Sequence, residues 1–331
     1  MALALKHAIL QTAQWQERKQ DKITFANEYY RPGYITVLAA YVNHHGIRQE
    51  DCSLPNNDYM SAINLFGAIW GEDNYTKKRL NVGENYSLVT PLINVESVDD
   101  ATSTINSCIR KLVLEGKTAS VQGVDELTKV IGELHDNVWS HGKSTGFSFA
   151  QRSAVPNTKH EEYYIEFSLA DCGCGFLGEL KRAGIPSIET HQEAIEWCIQ
   201  ENNSSKHADR QDDWAQRLPL GHIGGNTFGK GVAIKEKDNN HQGLGLYHLM
   251  QLVKKYSGEL QLATGNVCLE AQGDKVSYEA LDSEWKGVAI SCRFKINELI
   301  VEVDKDTNEE NDSQLNEFMR ALGGGYEKDS V

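Results

Sequence analysis

Basic side chains are scarce in this chain of 331 residues. It has 33 lysines and arginines against 47 aspartates and glutamates, which gives a formal net charge of −14 at neutral pH. A nucleic-acid surface has to meet phosphates with clustered lysine or arginine, and this balance argues against such a surface over the chain as a whole. We therefore expect no nucleic-acid partner.

Long apolar runs and a disulfide framework are also missing. No stretch approaches the roughly 20 apolar residues that a membrane-spanning helix needs, and the N-terminal run MALALKHAILQ is too short for a signal peptide. The seven cysteines are odd in number and are not spaced like those of a small secreted domain. These absences predict a reduced, soluble, cytoplasmic protein without membrane contact.

A convincing P-loop is the third absence. Residues 224–231 read GGNTFGKG, so Gly224, Gly229 and Lys230 satisfy the spacing G-x-x-x-x-G-K. However, Gly231 stands where a P-loop has the serine or threonine whose hydroxyl holds Mg²⁺, and no strand pattern precedes the segment. We interpret it as part of a flexible loop.

The chain is long enough for two domains, and its pattern changes near residue 100. Residues 1–100 predict a small α/β domain with a sensing or docking role, from a strand-like piece at 23–25, helical runs at 34–42 and 59–70, and strand pieces near 88–95. Residues 301–331 are acidic and predict a mobile tail.

Residues 101–300 predict a second α/β domain. Its expected fold is a two-layer α+β sandwich in which helices cover one face of a mixed, antiparallel-rich sheet. The predicted helices are 101–114, 125–141, 188–200 and 245–256, and the predicted strands are 163–169, 259–263 and 288–296.

The predicted helix at 125–141 carries a polar stripe beside its apolar one. Glu133, Asn137 and His141 are four residues apart, so they share one face of the helix. A solvated polar face is the usual explanation of such a stripe. The residue types also suit metal-triphosphate chemistry, because an amide oxygen can ligate Mg²⁺ and a carboxylate can accept a proton from an attacking water or hydroxyl.

Two glycine-rich turns accompany this helix. Asp171 follows a predicted strand and precedes Gly173, Gly175 and Phe176, so its carboxylate could bind an exocyclic amine where glycines let the backbone approach closely. Residues 243–246 (Gly243, Leu244, Gly245 and Leu246) open a predicted helix, whose free N–H groups favour an anion. Either segment alone would be interpreted as an ordinary turn.

Taken together and in this order, the segments ELHDNVWSH, DCGCGF and GLGL resemble the three nucleotide boxes of the GHKL (Bergerat-fold, histidine-kinase-like) ATPase superfamily. The resemblance covers roughly residues 105–297. It implies ATP and Mg²⁺ as cofactors, Asn137 as the Mg²⁺ ligand, Asp171 as the residue that reads adenine and Glu133 as a catalytic base. It also implies an ATP lid over about residues 202–242. Residues 1–100 show a faint similarity to STAS-like domains.

The first box, with glutamate first and His-Gly last, is most similar to that of anti-sigma serine kinases and hydrolytic members. The sequence departs from the family before the last strand, where Gly287 is followed by Val288 instead of threonine, so that Thr264 is an alternative adenine contact. The resemblance implies a regulator that hydrolyses ATP or phosphorylates a partner protein, with a homodimer as an option. The alternative is a module in which ATP only switches a protein-binding surface.

Overall fold

The computed structural model describes residues 2–18, 23–25, 28–54, 57–115, 121–142, 144–156, 158, 162–185, 187–201, 203 and 245–300. The predicted acidic tail, Gly243 and Leu244 lie outside these ranges. So does the predicted ATP lid except for Asn203, and with it the P-loop-like segment 224–231. Within them, no helix is long and apolar enough to cross a membrane.

The N-terminal part combines short strands with helices. Its elements are β1 (Ala2–Leu3), α1 (Leu5–Arg18), β2 (Ile23–Thr24), β3 (Tyr29–Tyr30), α2 (Pro32–His44), β4 (Cys52–Ser53), α3 (Asn57–Ala62) and α4 (Leu65–Trp70). Strand β1 pairs with β3, and β2 pairs with β4, both in parallel. The helix predicted at 59–70 is two short helices, because Asn64 adopts a left-handed backbone conformation (φ 63°) between them.

A five-stranded sheet forms the centre of the molecule. Its strands, in the order β5-β6-β7-β9-β8, are β5 (Thr90–Leu92), β6 (Gly146–Ala154), β7 (Tyr163–Asp171), β8 (Glu259–Gln272) and β9 (Lys275–Lys295). All four pairings are antiparallel, with Gly146 opposite Asp171 and Ala170 opposite Ala289. The α+β class is therefore confirmed, whereas the expected mixture of parallel and antiparallel strands is wrong for this sheet.

One face of the sheet is covered by helices, four of which correspond to predicted ones. The four are α5 (Val95–Leu114), α6 (Gln122–Asn137), α8 (His191–Cys198) and α9 (Gly245–Lys255), whereas the short helices α7 (Gly175–Arg182) and α10 (Ile296–Ile300) were not predicted. Apolar side chains of α5, α6 and α9 pack on alternate residues of β7, such as Ile165, Phe167 and Leu169. Asn94 caps α5 by accepting a hydrogen bond from the backbone N–H of Ser97.

The other face of the sheet is covered as well, which corrects the expectation of helices on one face only. Helix α2 lies across β6, β7 and β9, and α1 packs against α2 and β9. The two surfaces are so close that a Cβ on Gly33 would lie 2.9 Å from the Cβ of Ser291. Arg31, at the start of α2, donates a 2.8 Å hydrogen bond to the buried carboxylate of Glu166 in β7.

The predicted domain boundary at residue 100 lies within α5. Residues of the predicted first domain, such as Ile9 and Leu38, share a hydrophobic cluster with Phe147, Phe149 and Ala289 of the sheet. The division into two domains stays a prediction, while the packing joins both parts through one core.

Candidate functional site

The polar stripe begins on α6 as expected but does not continue unchanged to His141. Glu133 and Asn137 lie on α6, and the chain then forms a wider π-helical turn over Val138–Gly142. Because a π turn changes the angular spacing of residues, the backbone leaves regular α-helical geometry after Asn137. The place of His141 in the stripe stays a prediction.

Glu133 is buried against the start of α9. Its exposed fraction is 5%, and its Oε2 atom has no hydrogen-bond partner. The Nδ1 atom of the His248 imidazole on α9 lies 3.9 Å from Oε2. A Cβ on Gly245 would lie 3.0 Å from the Cβ of Glu133, so the two helices approach each other closely at this point.

Asp171 ends β7 with a buried carboxylate. Its exposed fraction is 4%, and its Oδ1 accepts a 2.7 Å hydrogen bond from the backbone N–H of Gly173. Burial raises the pKa of Asp171 to about 6, although hydrogen bonds from the backbones of Gly173 and Val288 and from Ser144 favour the ionised form. This carboxylate is therefore an acceptor with an unusual sensitivity to mild acid.

The turn after Asp171 depends on two glycines in left-handed conformations. Gly175 (φ 66°) lies so close to Thr264 that a Cβ on it would be 2.8 Å from the hydroxyl oxygen. Gly287 (φ 108°) faces the other side of the turn, and a Cβ there would overlap the carbonyl oxygen of Asp171. The hydroxyl of Thr264 is fully buried and donates a 2.7 Å hydrogen bond to the carbonyl of Gly287. The hydroxyl proton of Thr264, the residue predicted as an alternative adenine contact, is therefore donated to the carbonyl of Gly287.

A cavity of about 90 Å³ opens between α6, α7, α8, α9 and the sheet. The predicted site residues that line it are Asn137, Asp171, Gly175, Phe176 and Leu246. Its apolar walls come from Leu134, Val138, Leu169, Val288 and Ile290. Glu133, Gly173 and Gly245 are described but do not line the cavity; Glu133 and Gly245 contact each other beside it.

Helices α7 and α8 supply lining residues that the sequence analysis missed. They include Cys174, Glu179, Leu180, Trp197 and Cys198, and Asn203 follows α8. The carboxylate of Glu179 is 2.6 Å from a guanidinium nitrogen of Arg182 one turn later, which fixes it at the wall. The segment GFLGELKR has the spacing of a short amphipathic helix, and this signal could have extended the site beyond Phe176.

A metal site made only of protein groups is absent from the described residues, where no cluster of three or more His, Cys, Asp or Glu side chains could hold an ion. Neither a protein-family model nor a curated protein nor a solved structure matches the chain. The residues themselves indicate what the site can bind. They join a buried carboxylate acceptor, an amide oxygen and glycine turns to an apolar cleft.

Proposed function

We propose that this chain binds ATP with Mg²⁺ in the cavity between α6, α7 and the sheet, as a member of the GHKL superfamily with a Bergerat fold. One observation carries the proposal. Asn137 and Asp171 are 34 residues apart in the sequence, yet both line the same cavity. Each motif by itself is weak evidence for a nucleotide site, but residues of both motifs can contact one ligand in this cavity.

The cavity suits the base of the nucleotide. Asp171 presents a buried carboxylate that can accept from the exocyclic amine of adenine, and the neighbouring walls are apolar. A volume of about 90 Å³ is small for a whole nucleotide. The base would therefore occupy the cavity, and the ribose and phosphates would lie towards Asn137 and the start of α9.

The phosphate end would use Asn137 and the N-terminus of α9. Mg²⁺ needs oxygen ligands and retains several waters, so one amide oxygen together with phosphate oxygens is a sufficient set. When bound, the ion neutralises charge on the triphosphate. The free backbone N–H groups at the start of an α-helix such as α9, which begins at Gly245, favour the remaining negative charge.

Turnover would depend on Glu133. As the base, its carboxylate would take the proton of a water that attacks the γ-phosphate, or of a hydroxyl on a partner protein. The first outcome is ATP hydrolysis and the second is protein serine or threonine phosphorylation. Both fit a cytoplasmic regulatory protein with a protein partner.

A nucleotide-switched binding module without turnover is the second candidate, and one observation favours it. Glu133 is 5% exposed and does not line the cavity, so in this conformation its carboxylate is not open to an attacking nucleophile. Binding alone can shift a conformational equilibrium if ATP prefers one of two states.

Titration calorimetry with ATP, ADP and GTP, with and without Mg²⁺, tests the proposal. We expect ATP to bind with Mg²⁺ and Asp171→Asn to weaken binding by about tenfold or more, since a hydrogen bond to a charged group is lost. Asp282→Asn removes the same charge from an exposed position on β9 and should leave the affinity unchanged. Folded wild-type protein without affinity for any of the three nucleotides would refute the proposal.

An assay for released ADP separates the two candidates. Glu133→Gln should abolish turnover and retain ATP binding if Glu133 is the base. Absence of turnover in the wild type, with and without protein partners, favours the binding module.

A further inference from the structure

A second cavity, of about 450 Å³, lies in the N-terminal part of the chain between the turn before β4, helix α4 and the loop that follows α4. Its volume is within the roughly 300–1,000 Å³ that is usual for small-molecule sites. It has no residue in common with the nucleotide cavity. The nucleotide proposal therefore leaves it unexplained.

The charge of this cavity is negative. Glu72 and Asp73 line it, and none of the described lining residues is lysine or arginine. Arg79 holds the loop in place from outside the lining, since it donates to Asp73 at 2.5 Å and to the backbone carbonyl of Ala62 at 3.0 Å. The walls are thus fixed, and Glu72 adds a negative charge beyond the Asp73–Arg79 pair.

Two side-chain amides in the lining lack partners for their oxygen atoms. Gln49 Oε1 and Asn64 Oδ1 are both buried without a hydrogen bond. A buried acceptor without a donor is unfavourable, so each oxygen gains from a ligand that supplies a hydrogen bond. Both residues line the cavity, and because the terminal torsion of an amide is broad, rotation about it can exchange the places of the oxygen and the nitrogen.

Aromatic rings complete the lining. Phe66 and Tyr75 both face the cavity, and the guanidinium of Arg79 already lies over the Tyr75 ring, 4.9 Å from its centroid. Aromatic faces attract organic cations, guanidinium in particular. The lining therefore combines carboxylates, donor-seeking amide oxygens and aromatic rings.

We propose that this cavity is a binding site for a small organic cation that carries several N–H donors, such as a guanidinium or polyamine compound. Glu72 supplies charge, Gln49 and Asn64 accept hydrogen bonds, and Phe66 packs on the cationic group. The role of residues 1–100 in this scheme is to sense such a compound. This inference does not depend on ATP binding.

Titration calorimetry of the full chain with agmatine, which has a guanidinium at one end and an ammonium at the other, tests the proposal. We expect saturable binding of agmatine and none of glutarate, an anion of similar length. Glu72→Gln should weaken binding roughly twofold to fivefold, the range of a partly exposed ion pair. Glu84→Gln removes the same charge from an exposed position outside the lining and should change nothing.

Asn64→Gly provides the second variant, because glycine retains the left-handed backbone at this position and removes only the amide. We expect it to weaken agmatine binding about tenfold without changing the melting temperature by more than a few degrees. Absence of saturable agmatine binding to the wild type overturns the proposal. Agmatine binding that neither Glu72→Gln nor Asn64→Gly weakens overturns it as well.

Discussion

At the scale of single residues, Asp171 and the glycines around it determine the geometry of the candidate site. Backbone N–H groups can orient a carboxylate in an apolar cleft so that it accepts further hydrogen bonds. The N–H of Gly173 orients Asp171 in this way, through a 2.7 Å hydrogen bond to Oδ1. The sequence predicted this from an aspartate at a strand end followed by glycines. It could not predict Gly287 as the facing residue, because β9 reaches the turn only through the sheet.

The raised pKa of Asp171 gives a pH dependence that adenosine can report, since adenosine has no phosphate to titrate. If the ionised carboxylate binds the adenine amine, affinity is highest above the pKa of about 6 and falls as the pH drops through it. We expect a loss of roughly tenfold between pH 7 and pH 5 in calorimetric titrations. Asp171→Asn should bind weakly with no such slope, and an equal slope in that variant would contradict the assignment.

Gly287→Ala tests the turn itself. Alanine would have to adopt a φ of 108° and overlap the carbonyl of Asp171, so we expect the free energy of unfolding to fall by about 2–4 kcal/mol. Gly184→Ala is the matched control, because Gly184 also has a positive φ (72°) but nothing within 4 Å of the added methyl group. It should cost only about 1 kcal/mol. Equal losses in urea unfolding of the two variants would show that contact with Asp171 is unimportant.

At the scale of elements, the pairing of α6 with α9 aligns the site. The buried carboxylate of Glu126 accepts hydrogen bonds from Lys255 Nζ and from the Tyr256 hydroxyl, each at 3.0 Å. This contact holds the C-terminal end of α9, while Gly245 and Glu133 meet at its beginning. The helices are thus fixed at both ends of their contact.

We expect Glu126→Gln to lower the free energy of unfolding by about 1–3 kcal/mol, because a buried ion pair loses one of its charges. Asp274→Asn is the control, since it breaks the exposed pair of Asp274 with Lys254 and should cost less than about 0.5 kcal/mol. Urea unfolding monitored by circular dichroism measures both. A loss in Asp274→Asn as large as in Glu126→Gln would contradict a special role for the buried contact.

The sequence predicted α2, α5, α6 and α9 well because each has a strong apolar stripe or run. It missed β6, whose sequence GFSFAQRSA alternates large apolar with small residues and was not recognised as a strand.

The sequence also predicted that the rear face of the sheet is open to solvent. In β7, Glu166 and Ser168 alternate with Ile165, Phe167 and Leu169, a pattern typical of one solvated face. Glu166 is nevertheless buried, since Arg31 and Ser291 donate hydrogen bonds to it, and no local pattern reveals such distant partners.

At the scale of the whole molecule, the first 94 residues complete the sheet. They supply β5 at one edge and, with α1 and α2, the cover of the rear face. Helix α2 also contacts α4, which lines the N-terminal cavity. Helix α2 therefore connects the sheet that borders one proposed ligand site with the helix that lines the other.

A fragment that begins at residue 95 should fail to fold as a stable monomer. It would expose the buried rings of Phe147 and Phe149 and leave the Glu166 carboxylate without Arg31. We expect aggregation in gel filtration, in contrast to a full-length control. A fragment that is monomeric and melts cooperatively near the temperature of the full chain would contradict this expectation.

The close contact between Gly33 and Ser291 limits how parts of this chain can be recombined during evolution. Helix α2, from the first part of the sequence, packs directly on β9, from the last part, with no room for a methyl group between them. Neither part can therefore be exchanged by recombination without the other. A descendant that places this cleft in a new protein must also supply a cover for the rear face of the sheet, or replace the apolar side chains of that face with polar ones.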